Sequence, residues 1–215
     1  MSDFFYTLDL FGTFIFALSG GFRAVKYELD ILGVLILAIS TGVGGGLIRD
    51  CLLGATPPAS FKNEYYLIAC ILGGLMVFLW PQHLAYQWRK IIVSDALGLG
   101  LFTAIGAIKA LQFGLGPVGV TMMAVLTATG GGVVRDVLVR EIPSIIHSDF
   151  YATAALIGAV GLYCSYLLGA SELTQTLVAL TITTGLRLYA IKHKLSLPKA
   201  TKLSASPSEL NRKKL

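Results

Sequence analysis

Residues 40–54 read STGVGGGLIRDCLLG, three consecutive glycines followed at once by Leu47, Ile48, Arg49 and Asp50. The stretch closes an apolar run otherwise long enough to cross a membrane. Each glycine costs a helix about 1 kcal/mol relative to alanine, and charge inside a bilayer is costly as well. A segment that keeps both has a use for them. The pattern returns: GGGLIRD at 44–50 and GGGVVRD at 130–136 are 86 residues apart. Without a gap, the same offset matches Asp9 to Asp95, Gly12 to Gly98, Phe16 to Phe102, Gly20 to Gly106, Thr41 to Thr127, Pro57 to Pro143 and Tyr65 to Tyr151. That many matches in one register make the chain a duplicated unit.

The composition gives the class. Of 215 residues, 55% are hydrophobic and only 13% charged, with a mean hydropathy of +0.74. Soluble domains carry about a quarter charged residues. Long apolar runs separated by short polar breaks predict an all-α integral membrane protein, and the ten-residue alternation of a transmembrane barrel is missing. Spans are expected at roughly 4–22, 31–53, 64–80, 91–111, 117–139, 151–168 and 173–191. The chain then divides into a repeat at 4–80, a second at 90–168 and a seventh helix at 173–191, all within one transmembrane domain, 1–191. The remaining residues, 192–215, read as a basic, disordered cytoplasmic tail. The first residues are acidic or neutral and Asp9 interrupts the apolar run, so the N-terminal segment reads as a retained span and not a signal peptide.

Three spans per unit is an odd number, so the second unit enters the membrane from the opposite side to the first. The two repeats are therefore expected to be inverted, related by a pseudo-two-fold axis in the membrane plane, an architecture of channels and secondary transporters. The positive-inside rule orients them. Placing the C-terminus in the cytoplasm and the N-terminus outside puts the tail lysines, Arg89, Lys90, Arg140, Arg23 and Lys26 inside.

Depth along the hairpins suggests which charges meet. The midpoint of positions 9 and 49 is residue 29, in the first turn, and that of 95 and 135 is residue 115, in the turn FGLGP. Asp9 and Arg49 are thus predicted to pair toward the outer face, and Asp95 and Arg135 toward the inner face. Whether these pairs are structural or line an aqueous path stays open. Asp50 and Asp136 point about 100° away from the neighbouring arginines. They read as poor partners for them, bonded elsewhere or lining a vestibule. Gly44, Gly45, Gly46 and Gly130, Gly131, Gly132 exceed what helix packing needs. They predict a kink or local unwinding that exposes carbonyl oxygens, which are good ligands for a passing cation. Thr41 and Thr127 stand to add hydroxyl oxygens.

Cys51, Cys70 and Cys164 show no metal or disulfide spacing, and His83, His147 and His193 fall in loops or the tail. No nucleophile–base pair or nucleotide motif is present, so there is no candidate catalytic residue and no cofactor. Nucleic-acid binding is not expected either, because the +5 net charge concentrates in a tail that membrane topology already explains.

The doubled motif, GGGLIRD and GGGVVRD closing the second and fifth spans, resembles the prokaryotic branch of the trimeric intracellular cation (TRIC) channel family, also known under a "glycine transporter" domain name. The resemblance runs over about residues 4–191. It implies seven transmembrane helices, a homotrimer with one pore per protomer, and potassium-preferring, sodium-permeable conduction. It also implies kinks of the second and fifth helices at the six glycines, and a prokaryotic inner membrane as the location. Animal members carry a lysine-bearing motif and bind a phosphoinositide. Here three glycines stand at that motif, so the lipid site is not carried over. The alternative is a small-solute secondary transporter, for glycine among others. Against it, every charged aspartate lies toward a span end and none near the midplane.

Overall fold

The computed structural model describes residues 3–80, 88–147 and 150–197. His83 and most of the tail, 198–215, lie outside these. In chain order the helices are α1 (Asp3–Lys26), α2 (Ile31–Leu52), α3 (Ala59–Lys62), α4 (Tyr65–Leu79), α5 (Trp88–Gln112), α6 (Pro117–Leu138), α7 (Ser144–His147), α8 (Tyr151–Leu167) and α9 (Glu172–His193). Seven of these, among the described residues, have 15 residues or more. Three, Phe5–Lys26, Ile31–Leu52 and Pro117–Leu138, are long and apolar enough to cross a membrane, and Tyr65–Leu79 and Tyr151–Leu167 are shorter apolar helices. α5 and α9 are as long but more polar, carrying Asp95 and Lys109 or Arg187 and a series of threonines.

The helix ends explain the boundaries. The Asp30 carboxylate accepts from the Gly33 N–H and starts α2, while Pro117 stands at the first position of α6. The chain leaves α2 and α6 alike. Gly54 and Arg140, 86 apart, both have positive φ, 70° and 59°. Beyond them the Ala55 and Glu141 N–H groups return to the Asp50 and Asp136 carbonyls, the six-residue closure of a Schellman ending.

α1 packs on α2 and α4, and α6 on α5 and α8; α9 closes against α5 and α8. The two units meet where α2 crosses α6 and α1 runs beside α5. The close contacts across this seam come in mirrored pairs. A Cβ on Gly45 would strike the Thr127 carbonyl oxygen, and one on Gly131 the Thr41 carbonyl oxygen. Gly44 abuts the Gly131 Cα and Gly130 the Gly45 Cα. Gly12 abuts the Phe102 ring and Gly98 the Phe16 ring. Phe16 and Phe102, each the other's equivalent, stack with centroids 5.0 Å apart at the centre. Contacts between i and j matched by contacts between their equivalents j and i are the mark of an isologous interface.

This crossing corrects one expectation. α2 and α6 are continuous α-helices through all six glycines, so the local unwinding and exposed carbonyls do not occur here. The glycines are absorbed by the close approach of two backbones, which only a residue without Cβ permits.

Candidate functional site

Two charged layers lie in the interior, each built on the arginine three residues beyond a triple glycine. In the first, Arg49 is 1% exposed and Asp9 2%. The Arg49 Nη2 lies 3.5 Å from Asp9 Oδ2, and the Tyr66 hydroxyl donates to the same oxygen at 3.0 Å. In the second layer the Arg135 Nη1 lies 3.7 Å from Asp95 Oδ1 and donates to the Ser19 hydroxyl at 2.6 Å. The antiparallel hairpins bring each arginine to the depth of its aspartate.

Asp50 and Asp136 correct a second expectation. The Arg49 Nε donates to Asp50 Oδ1 at 2.7 Å, and the Arg135 Nε to Asp136 Oδ1 at 2.8 Å. The long guanidinium stem folds back, so the Nε reaches the adjacent carboxylate while the Nη nitrogens face the hairpin partner. The 100° helical step separates Cβ directions without separating the ends of long side chains.

Each of these carboxylates also does two further things that spacing alone does not show. Asp50 Oδ1 takes the Lys109 ammonium at 2.7 Å, and Asp136 Oδ1 lies 3.5 Å from Arg23 Nη2. Arg23 and Lys109 are themselves 86 apart, so each unit sends one cation into the other. The second oxygen starts the short helix beyond the motif. Asp50 Oδ2 accepts from the Ala59 N–H at 2.9 Å, and Asp136 Oδ2 from the Ser144 N–H at 2.9 Å and its hydroxyl at 3.0 Å. The donor is one position later in the first unit because Pro58, the equivalent of Ser144, has no N–H. The repeat offset was the signal that could have found Arg23 and Lys109; Tyr66 has only Ala152 at its equivalent position and left no trace.

Thr41 and Thr127 are fully buried. Their hydroxyls donate to the Leu37 and Met123 carbonyls of their own helices at 2.5 and 2.6 Å. A cavity of about 10 Å³ borders Asp9, Thr13, Gly46, Arg49, Tyr66 and Phe102, which is room for roughly one water. Where α6 ends, Glu141 binds Arg23, Lys26 and Tyr27 of the first unit, with Lys26 Nζ at 2.9 Å. Partial desolvation acts to raise the Glu141 carboxyl, but the bonds from Tyr27 and Lys26 and the Arg23 charge outweigh it and hold it below the usual glutamate range. Ala55, the equivalent residue, can form no such cluster. Among the described residues no group of three or more His, Cys, Asp or Glu side chains is placed to hold a metal ion.

A duplicated helical unit with a buried arginine after each triple glycine fits a membrane protein built from two repeats. The family model described as "Glycine transporter" matches the chain twice, at residues 6–82 and 92–166, with starts again 86 apart. A UPF0126 membrane protein of Vibrio cholerae is 42% identical over 90% of this chain and 81% of its own length. The UPF0126 inner membrane protein YadS of Escherichia coli is 38% identical over 90% and 94%. Among solved structures, one described in work on conductance through TRIC cation channels superposes with a TM-score of 0.87 at 36% identity, covering 93% of this chain and 98% of its own. The TRIC orthologue from Rhodobacter sphaeroides gives 0.82 at 37%, over 89% and 98%. The chain belongs to the prokaryotic TRIC channel family, and it is a bacterial-type multi-pass membrane protein.

Proposed function

We propose that the protein is a passive monovalent cation channel, potassium-preferring and permeable to sodium, with a pore inside each protomer between its two repeats. The observation that carries this reading is the full-length likeness to a TRIC cation channel at a TM-score of 0.87. The reciprocal contacts across the α2–α6 crossing support repeats that are inverted about an axis in the membrane plane. The seven long helices are then seven spans, with the N-terminus outside and the C-terminus in the cytoplasm. Asp9, Arg49, Asp50, Asp95, Arg135 and Asp136 are the charges an ion meets. Carboxylates attract the cation, and the arginines set the barrier it must displace. Bending of α2 and α6 at Gly44–Gly46 and Gly130–Gly132 widens the path on opening, with Thr41 and Thr127 beside the bend. The exposed apolar residues Leu32 and Ile36, and their equivalents Val118 and Met122, suit contact with lipid or with further copies in a homotrimer. No cofactor or tightly bound metal is required; the permeating ion is potassium or sodium.

Purified protein in a planar bilayer under a potassium gradient tests this. Unitary currents reversing near the potassium equilibrium potential are expected. Electrical silence together with saturable glycine counterflow in liposomes would establish the transporter reading instead.

A further inference from the structure

The two charged layers share a design but are not equally closed. In the Asp9–Arg49 layer the carboxylate is 2% exposed and its Oδ2 takes both the guanidinium and the Tyr66 hydroxyl. In the Asp95–Arg135 layer the Asp95 side chain is 20% exposed and 3.7 Å from the arginine. The equivalent of Tyr66 is Ala152, which has no hydroxyl to donate. Tyr151, one position earlier, holds its buried ring against Arg187, whose guanidinium carbon sits 4.8 Å from the ring centroid; its hydroxyl reaches this layer beside Gly132, where the Arg135 guanidinium also lies, but makes no hydrogen bond to Asp95. A phenol donating to a carboxylate is a charge-assisted bond, about twice the strength of a neutral one. It occupies the lone pairs with which Asp9 would replace a cation's water.

Tyr66 is itself held from the surface. Its ring meets Tyr6 edge-on at 6.1 Å, and the Tyr6 hydroxyl accepts from the Asn63 side-chain amide at 2.9 Å. Asn63 also accepts from the Tyr65 N–H at 3.0 Å, so it belongs to the short connection between α3 and α4. That connection and the helix ends it joins line an open surface groove along Phe61, Lys62, Glu64 and Tyr65.

We propose that Tyr66 is the latch of the Asp9–Arg49 layer, positioned from the α3–α4 connection through Asn63 and Tyr6, and that this layer is the main barrier of the resting protomer. The inference rests on the channel reading. Tyr66 is a positioning residue, acting on ions through Asp9. Its loss frees a carboxylate oxygen, loosens the Arg49 contact and raises the open fraction.

The experiment is single-channel recording of full-length wild type, Tyr66→Phe, Asn63→Ala and the surface control Tyr65→Phe in bilayers of one composition. Tyr66→Phe is expected to raise the open-to-closed ratio about tenfold, the factor equivalent to about 1.4 kcal/mol. Asn63→Ala should shift it the same way by less, and Tyr65→Phe should match wild type. The potassium-to-sodium permeability ratio should stay constant, because every buried carboxylate and arginine of the two layers is retained. A merely structural loss would lower activity, not raise the open fraction. An unchanged or reduced open fraction in Tyr66→Phe overturns the latch. If that variant does not fold, Asn63→Ala decides alone, with no rise overturning the proposal. A silent wild type would overturn the channel reading itself, a result distinct from either.

Discussion

The glycine crossing makes opposite demands on neighbouring glycines, and alanine substitution separates them. A Cβ added to Gly45 or Gly131 would meet a backbone carbonyl oxygen, Thr127 or Thr41, closer than the 3.0 Å below which real Cβ atoms are not found. Neither carbonyl can rotate away, since each lies within a continuous helix. The helices must therefore separate by on the order of 1 Å along their crossing, undoing packing at interior density. Overpacking of this kind costs about 1–3 kcal/mol and occasionally more, offset by about 1 kcal/mol from replacing glycine with alanine in a helix. One residue on, the result reverses. A Cβ on Gly46 has the Arg49 Nη2 at 3.6 Å as its nearest neighbour, and one on Gly132 the Tyr151 hydroxyl at 3.5 Å, both ordinary contacts. Gly46→Ala and Gly132→Ala should hold or raise stability, whereas Gly45→Ala and Gly131→Ala should lower it by about 1–2 kcal/mol or more. The double variant Gly45→Ala/Gly131→Ala should cost less than the summed singles, because the first separation relieves the second clash. Thermal unfolding of detergent-purified protein, followed by size-exclusion fluorescence, reads all five. Equal stability of Gly45→Ala and Gly46→Ala would refute the close crossing. If Gly46→Ala is stable yet conducts poorly, its glycine serves bending.

Three further outcomes are expected. Arg49→Gln leaves Asp9 buried without its cation and Asp50 with Lys109 alone, so it should destabilise by about 3–5 kcal/mol; an Asp9→Arg/Arg49→Asp swap should recover part of the loss relative to either single change, and no recovery in unfolding temperature would contradict the pairing. Lys109→Met removes one charged donor from Asp50, which retains the Arg49 Nε and the Ala59 N–H; a loss of about 1–3 kcal/mol follows, and Arg23→Met should act likewise at Asp136 through the equivalent contact. The Glu141 carboxyl is held low in the folded state, so its stabilisation is present above the ordinary glutamate pKa of about 4.3 and is lost as pH falls through the folded value. Glu141→Gln should therefore flatten the acid limb of a stability–pH curve below about pH 4, and an unaltered limb would count against the cluster.

Helix positions were legible because apolar run length and the breaks between runs are local properties. Expected spans such as 31–53 and 117–139 differ by a residue or so from Ile31–Leu52 and Pro117–Leu138. The duplication was legible because an ungapped offset of 86 is a one-dimensional fact. So was the depth of Asp9 against Arg49 and of Asp95 against Arg135, which a short turn imposes on any antiparallel pair.

What sequence by itself determined, then, is where the long helices run, the duplication, and which aspartate and arginine share a level. Tertiary structure alone decided how the units meet. The triple glycine suggested a broken helix, because the sequence of α2 carries no sign that the backbone of α6 lies against it. Once that approach is present, glycine is needed to admit a carbonyl, and the helix stays whole. Likewise, adjacent Arg49 and Asp50 looked divergent from the helical step, but the reach of a guanidinium and the arrival of Lys109 from the other unit bring them to one point. Tyr66 on Asp9 has no repeat partner and no local signal. It is defined by a contact between α4 and α1, 57 residues apart, which only the packed bundle creates.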